Sequence, residues 1–314
     1  MEVFNSLSEV QKNKNTIITL GTFDGIHLGH KKIIEGVIKK AEKLNARSFL
    51  ITFDPHPRSV VSKGNTIKLL HTLEEKINIL RDLGIQNLLI IKFTKDFSQL
   101  SSEEFVKNYI INGIGLNEIV IGYDHHFGKG RGGDERTLRE MGKEFDFRVT
   151  KVDAVNINGT SVSSTKIRNA LADGNINIAN SFLGRYYSFQ GKVVKGDGRG
   201  RTLGFPTANI KLNSENKLLP AIGIYAVELV MTNEKHFGLM SIGKRPTFYN
   251  DGQLTTEIYI YDFDRDIYNE DVTVKVIERI RGEEKYSSPE ELVAQMKKDK
   301  EAGVEIMSRL QMEF

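Results

Sequence analysis

Apolar positions follow two regimes along this chain. Up to about residue 183, short runs that are apolar throughout alternate with stripes at helical spacing. TIITL (16–20), SFLITF (48–53), LLIIKF (88–93) and EIVIG (118–122) are predicted as strands, with RVTKV (148–152) as a further candidate. Between them Ile33, Ile34, Val37, Ile38, Ala41 and Leu44 form one helical face, and Leu73, Ile77 and Leu80 a second. Phe105, Val106, Tyr109 and Ile110 form a third, opened by capping-box spacing from Ser101 to Glu104. Buried strands alternating with helices predict a parallel sheet covered on both faces.

Beyond residue 183 the helical stripes stop. YSFQGKVVK (187–195), GIYAVELVM (223–231), HFGLMSI (236–242), TTEIYIY (255–261) and DVTVKVIERI (271–280) read as strands. Turn residues separate them, including Thr232-Asn233 and Asn250-Asp251-Gly252. This pattern predicts a small antiparallel barrel or sandwich. Ser288, Pro289 and Glu291 then open a C-terminal helix. The expectation is an α/β domain over 1–183 and a β domain over 184–314.

Composition narrows the class. A length of 314 residues has room for two cores. Lys and Arg number 44 against 41 Asp and Glu, a net charge of +3 that argues against a nucleic-acid or membrane-surface partner. The absence of cysteine excludes disulfides, thiolate metal sites and cysteine nucleophiles, and fits a reducing cytoplasm. No run approaches a membrane span, and the first fifteen residues lack the order of a signal peptide.

The candidate chemistry starts at GTFDGIHLGH (21–30), where the first strand passes into the first helix. Gly21, Gly25 and Gly29 allow a sharp turn, and free N–H groups at a helix start suit a phosphate. His27 and His30 stand three apart and can face one ligand. A histidine pair alone is more often a surface or metal accident; the glycines, the strand-to-helix position and Asp24 favour the phosphate reading. Neither a Walker loop nor a G-x-G-x-x-G follows the first strand.

GTFDGIHLGH resembles the H-x-G-H signature of the nucleotidyltransferase superfamily, in the form found in bacterial FAD synthetases. TFDPHP (52–57), GYDHHFGKGRGGD (122–134) and SVSSTKIR (161–168) fit that family in order and distance. The resemblance implies a Rossmann-like nucleotidyltransferase domain, with His27 and His30 catalytic. It implies ATP held by Gly21, Phe23, Asp24, Gly25, Ser164, Thr165 and Arg168, and FMN held by Pro55, Pro57, Asp124 and Phe127. Asp124 stands where many members have asparagine. Read without the family, Phe53, Pro55 and Pro57 end a strand and shape a loop. His125, His126 and Phe127 are then core or rim residues, and GKGRGGDER (128–136) is a solvated loop.

In the second half, five glycines fall between 191 and 204, among Lys195, Arg199 and Arg201. Such a loop is an ordinary hairpin or a flap over phosphates. The hydroxyl of Thr207 and the amide oxygen of Asn209 in PTAN (206–209) are hard ligands acceptable to Mg²⁺. With GIYAV (223–227), GKRPTF (243–248) and TTEIYIYDFDRDIY (255–268), the segment resembles the riboflavin kinase family. That resemblance implies Glu257 as general base, Thr207 and Asn209 as metal ligands, and Gly196, Gly198, Arg201 and Gly204 around ATP. It also implies Arg281 at flavin or nucleotide, where a surface salt bridge is the plain alternative. Ser241 departs from the asparagine the family often has before I-G-x-x-P-T-F. Together the resemblances imply a bifunctional FAD synthetase that uses riboflavin, FMN and ATP with Mg²⁺. The open alternatives are a barrel that only binds flavin as a regulator, and a non-enzymatic flavin-binding protein.

Overall fold

The five apolar runs of the first half are parallel strands: Thr16–Leu20 (β2), Arg47–Asp54 (β3), Asn87–Lys92 (β4), Glu118–Gly122 (β5) and Arg148–Val152 (β6). The computed structural model describes residues 1–62, 67–196, 198, 200, 203–232, 234–244 and 254–312. It adds a strand that three residues were too few to signal, Glu2–Phe4 (β1), paired with β4 through Val3 and Leu88. The sheet order is β1-β4-β3-β2-β5-β6. The chain runs outward from β2 through β3 and β4, and on the other side through β5 and β6. The direction therefore reverses between β2 and β5, and ligands favour that position in open parallel sheets.

Alternation along each strand feeds two cores. Ile17, Leu50, Leu88 and Val120 pack beneath Leu28–Lys43 (α1) and Leu73–Asp82 (α3), whose Ile34, Val37 and Leu80 are fully buried. Ile18, Phe49, Ile51, Leu89 and Ile119 face the other layer, with Phe105, Val106, Ile110, Leu138 and Met141. Each such side chain contributes about 1.5–3 kcal/mol relative to exposure. The capping box at Ser101 is formed in full, with Glu104 N–H donating to Ser101 Oγ and Ser101 N–H to the Glu104 carboxylate. The helix it opens is regular over Ser102–Phe105 (α4), then winds as a π-helix over Val106–Ile114. Pro57–Val61 (α2) and Glu135–Phe145 (α5) complete the helices of the sheet region, followed by a hairpin of Asn156–Ile157 (β7) and Thr160–Ser161 (β8).

Two compact units divide the chain, Met1–Ser164 and Thr165–Phe314. Ser164–Ala172 (α6) begins at the last residue of the first. In the second, Ile176–Leu183 (α7) sets Asn180 against the barrel, donating to the Val276 and Ile277 carbonyls and accepting from Tyr187 N–H. Six antiparallel strands close the barrel: Tyr187–Val194 (β9), Thr207–Leu212 (β10), Gly223–Met231 (β11), Glu234–Lys244 (β12), Leu254–Ile260 (β13) and Asp271–Arg281 (β14). Their order is β10-β13-β12-β11-β14-β9. Five of the six match apolar runs. β10 does not, because its polar start reads as loop chemistry. The turns at Asn233 and 250–252 lie outside the described residues. Pro289–Met312 (α8) follows, with Ser288 Oγ accepting from Glu291 N–H, and Ile306 packs on Ala226 and Ile277.

Candidate active sites

The loops after β2, β3 and β5 carry the three histidine-bearing motifs of the first unit. After Leu20 the chain turns into α1 through a strained backbone. Phe23 (φ +45°), Gly25 (+93°) and Ile26 (+35°) all lie in the left-handed region. Gly25 has no alternative there, since a Cβ would also lie 2.7 Å from Leu70 Cδ1. Phe23 and Ile26 each store about 1–3 kcal/mol, so neighbouring contacts must hold the turn. Asp24, 2% exposed, accepts the N–H groups of Leu70 (3.0 Å) and His71 (3.1 Å) on Oδ1. Ser164 Oγ donates to the Asp24 carbonyl at 2.7 Å.

His27 is the N-cap of α1, and its Nδ1 accepts from His30 N–H at 3.3 Å. With Nδ1 engaged as acceptor, the neutral ring carries its proton on Nε2 and is a donor there. The two imidazoles stack with centroids 3.7 Å apart, and the Phe23 ring meets His30 edge-on at 5.1 Å. Phe23, Asp24, His27, His30 and Ser164 are thus brought together. Thr165 and Arg168 follow on α6, the first exposed and the second half-buried.

Pro55 is exposed after β3, and Pro57 opens α2, whose N-cap His56 accepts from Arg58 N–H. After β5, Asp124 is exposed while Phe127 is buried in the core, paired through both backbone groups with Gly133. The sequence leaves Phe127 open between a core or rim residue and a residue of the flavin pocket; it packs in the core cluster with 7% of its surface exposed. Phe53, Phe97, Phe105 and Phe127 form a continuous aromatic wall between the β3 and β5 loops, which no single motif announced. His125 stacks on Phe127, and burial, with His126 and Arg131 adding repulsion, lowers its pKa to about 4. It is neutral at pH 7.

Lys76 of α3 was not anticipated. It is 7% exposed, and its Nζ donates to the Thr22 carbonyl (2.7 Å) and to Thr52 Oγ1 (3.3 Å). Burial lowers its pKa, while Asp24 and Asp54 oppose that shift.

In the barrel the polar residues stand in ladder register. Glu257 lies directly opposite Asn209 of β10 and directly opposite Ser241 of β12. Ser241 in turn opposes Ile224, and Ile224 opposes Arg281. Directly opposed residues share a face, so Asn209, Glu257 and Ser241 form one row, on the face away from fully buried Ile258. Thr207 Oγ1 donates to Glu257 Oε2 at 3.1 Å. Gly196 closes on this row, since a Cβ there would collide with the Asn209 amide. Gly198 and Gly204 both have positive φ, and the Gly200 carbonyl accepts from Leu203 and Phe205, curling the loop back. Arg201 and the 245–248 part of GKRPTF lie outside the described residues. The Arg281 guanidinium pairs with Asp299 of α8 at both ends, 2.8 and 2.7 Å, and donates to the Gly282 carbonyl. The hydrogen bond to Asp299 raises its pKa despite partial burial.

Comparison with known proteins agrees with this division. A FAD synthetase family model matches residues 9–166, and a riboflavin kinase model matches residues 183–307. A bifunctional riboflavin kinase/FMN adenylyltransferase from Listeria monocytogenes is 40% identical over 290 residues, 91% of each chain. One from Bacillus subtilis is 36% identical, covering 96% of this chain and 95% of its own. A solved structure described as a macrolide-efflux protein from Streptococcus pneumoniae superposes with a TM-score of 0.88 at 31% identity, covering 96% and 98% of the two chains. Among the described residues, no helix of this chain is long and apolar enough to cross a membrane. With both family models matched in order and relatives aligned nearly end to end, the chain belongs to the family of bifunctional riboflavin kinase/FMN adenylyltransferases.

Proposed function

We propose that the barrel site phosphorylates riboflavin and that the site after β2 converts the resulting FMN to FAD. The chain is an enzyme of FAD synthesis, and its small-molecule substrates are riboflavin, FMN and ATP. We assign the first reaction to 184–314 and the second to 1–183, in the cytoplasm.

In the barrel, Glu257 accepts the proton of the riboflavin 5′-hydroxyl as that oxygen attacks the γ-phosphorus of ATP, releasing ADP. Thr207 supports this role by donating to one carboxylate oxygen, which leaves the other for the substrate proton. Thr207 and Asn209 offer hydroxyl and amide oxygens beside a carboxylate, a hard donor set that fits Mg²⁺. The ion, when bound with ATP, neutralises developing phosphate charge. We assign Gly196, Gly198 and Gly204 to the ATP phosphates, together with Arg201 on the strength of the family resemblance alone, and Arg281 to the flavin.

In the first unit, an FMN phosphate oxygen attacks the α-phosphorus of a second ATP, and pyrophosphate leaves. His27 donates through Nε2 and His30 stands stacked behind it, both stabilising charge on the pentavalent centre. Gly21, Phe23, Asp24 and Gly25 shape the turn around ATP. Ser164, followed on its helix by Thr165 and Arg168, holds the leaving phosphates. Pro55, Pro57, Asp124 and Phe127 border FMN. No covalent enzyme intermediate is required, because FMN is itself the nucleophile.

The observation that carries the reading is the bond from Thr207 to Glu257 in a row with Asn209, in the same chain as a stacked histidine pair capping a helix after a parallel strand. The test is chromatographic. With riboflavin, ATP and Mg²⁺, riboflavin passes through FMN to FAD, and supplied FMN becomes FAD. If only supplied FMN reacts, the barrel is a binding module. If neither flavin changes, the enzymatic reading is wrong.

A further inference from the structure

We propose that Lys76 is a positioning residue for adenylyl transfer, holding the turn that carries His27; this rests on the reading above for the first unit. The ammonium does not serve the packing of α3. Leu73, Ile77 and Leu80 supply that, and an apolar side chain at 76 would join their stripe without desolvating a charge. What the buried ammonium grips is informative. Its Nζ donates to the carbonyl of Thr22 at 2.7 Å, immediately before the left-handed residue Phe23. It donates also to Thr52 Oγ1, and that hydroxyl itself bonds the Thr22 carbonyl at 3.3 Å. One carbonyl, at the carboxyl end of β2, is therefore held by two side chains from neighbouring elements.

The same end of α3 supplies the second grip. Leu70 and His71 donate their N–H groups to Asp24, and the capping box of Thr72 and Glu75 fixes the chain between those amides and Lys76. Thr22 is thus held by a cation and Asp24 by amides, all from the single segment 70–76. Between and just beyond these anchors lie the three residues in left-handed conformations, and then His27. A turn strained in this way relaxes when one anchor is removed, and His27 is carried with it.

The test uses the full chain with Lys76→Met, which keeps the unbranched stem one atom shorter and without the charge, and Thr52→Val, which replaces the hydroxyl with a methyl. FAD formation from FMN and ATP, FMN formation from riboflavin and ATP, and the thermal midpoint are read on the same preparations. Lys76→Met is expected to lower kcat for FAD formation by about 100-fold and Thr52→Val by about 5-fold, with both KM values within about 3-fold of wild type. FMN formation should be unchanged in both. A purely structural lysine would lower the midpoint and leave kcat of the folded protein intact, and that result overturns the proposal. So does a loss confined to KM. If Lys76→Met does not fold, Thr52→Val decides, and an unchanged kcat there also overturns it. A wild-type chain that makes no FAD instead removes the parent reading, and this proposal with it.

Discussion

The two candidate sites are held together by different means. In the barrel, Asn209, Glu257 and Ser241 face one another because antiparallel ladder bonds set their register. In the first unit the functional turn lies beyond the last ladder bonds of β2, and the side chains of Asp24, Thr52, Lys76 and Ser164 are among the groups that hold it. Backbone register is distributed over many bonds, whereas a clasp depends on a few. Changes outside the reacting groups should therefore cost more at the histidine site than at the glutamate site.

The largest expected effect comes from breaking one site and sparing the other. His27→Ala with His30→Ala should lower FAD formation by about 10³-fold, since donors to developing phosphate charge are lost. FMN formation by the same protein should be unchanged in an initial-rate assay. Glu257→Gln should lower riboflavin phosphorylation by about 10²–10³-fold, the range for losing a general base. Conversion of supplied FMN to FAD should survive.

A smaller effect tests the barrel's tolerance. Asp299→Asn leaves Arg281 with a neutral partner and should destabilise the packing of α8 by about 1–2 kcal/mol, read from urea unfolding. The kcat for riboflavin should stay within about 3-fold, because Glu257 is held by the ladder and not by α8. A collapse of kinase turnover would break the contrast between the sites.

The smallest effect concerns the far end of the parallel sheet. Burial would raise the pKa of Glu118, but hydrogen bonds from Lys40 and Thr150, with the charges of Lys40 and Arg148, outweigh it and hold the pKa below the ordinary value. A lowered folded-state pKa gives stability that is present above the unfolded value and lost as pH falls through the folded one. Glu118→Gln should lower the urea midpoint slightly near neutrality, where the carboxylate's contribution is present, and flatten the acid-side loss so that the two proteins converge at low pH.

Which features the sequence disclosed follows the same division. Largely apolar runs announced four parallel strands because both faces are buried, RVTKV was only a candidate because β6 is a half-exposed edge strand, and alternation announced five barrel strands. β10 was hidden because Thr207 and Asn209 put chemistry where a strand pattern wants apolar residues. The spacing of His27 and His30 to their glycines is local and so was readable, whereas Glu257 was singled out only through the resemblance to the riboflavin kinase family. The clasp was not local. Nothing near Asp24 names Leu70 and His71 as its donors, and nothing near Arg281 names Asp299. One signal was readable: Lys76 stands three residues after Leu73 and four before Leu80, inside the apolar stripe. A charge placed there asks for a buried partner.

The central claim, two independent sites in one chain linked by released FMN, is tested most directly by mixing variants. The His27→Ala/His30→Ala chain and the Glu257→Gln chain are combined with riboflavin, ATP and Mg²⁺, and flavins are followed by chromatography. Alone, the first should stop at FMN and the second should leave riboflavin unchanged. Together they should make FAD. A mixture that makes none, or a histidine variant that also loses FMN formation, would contradict the account.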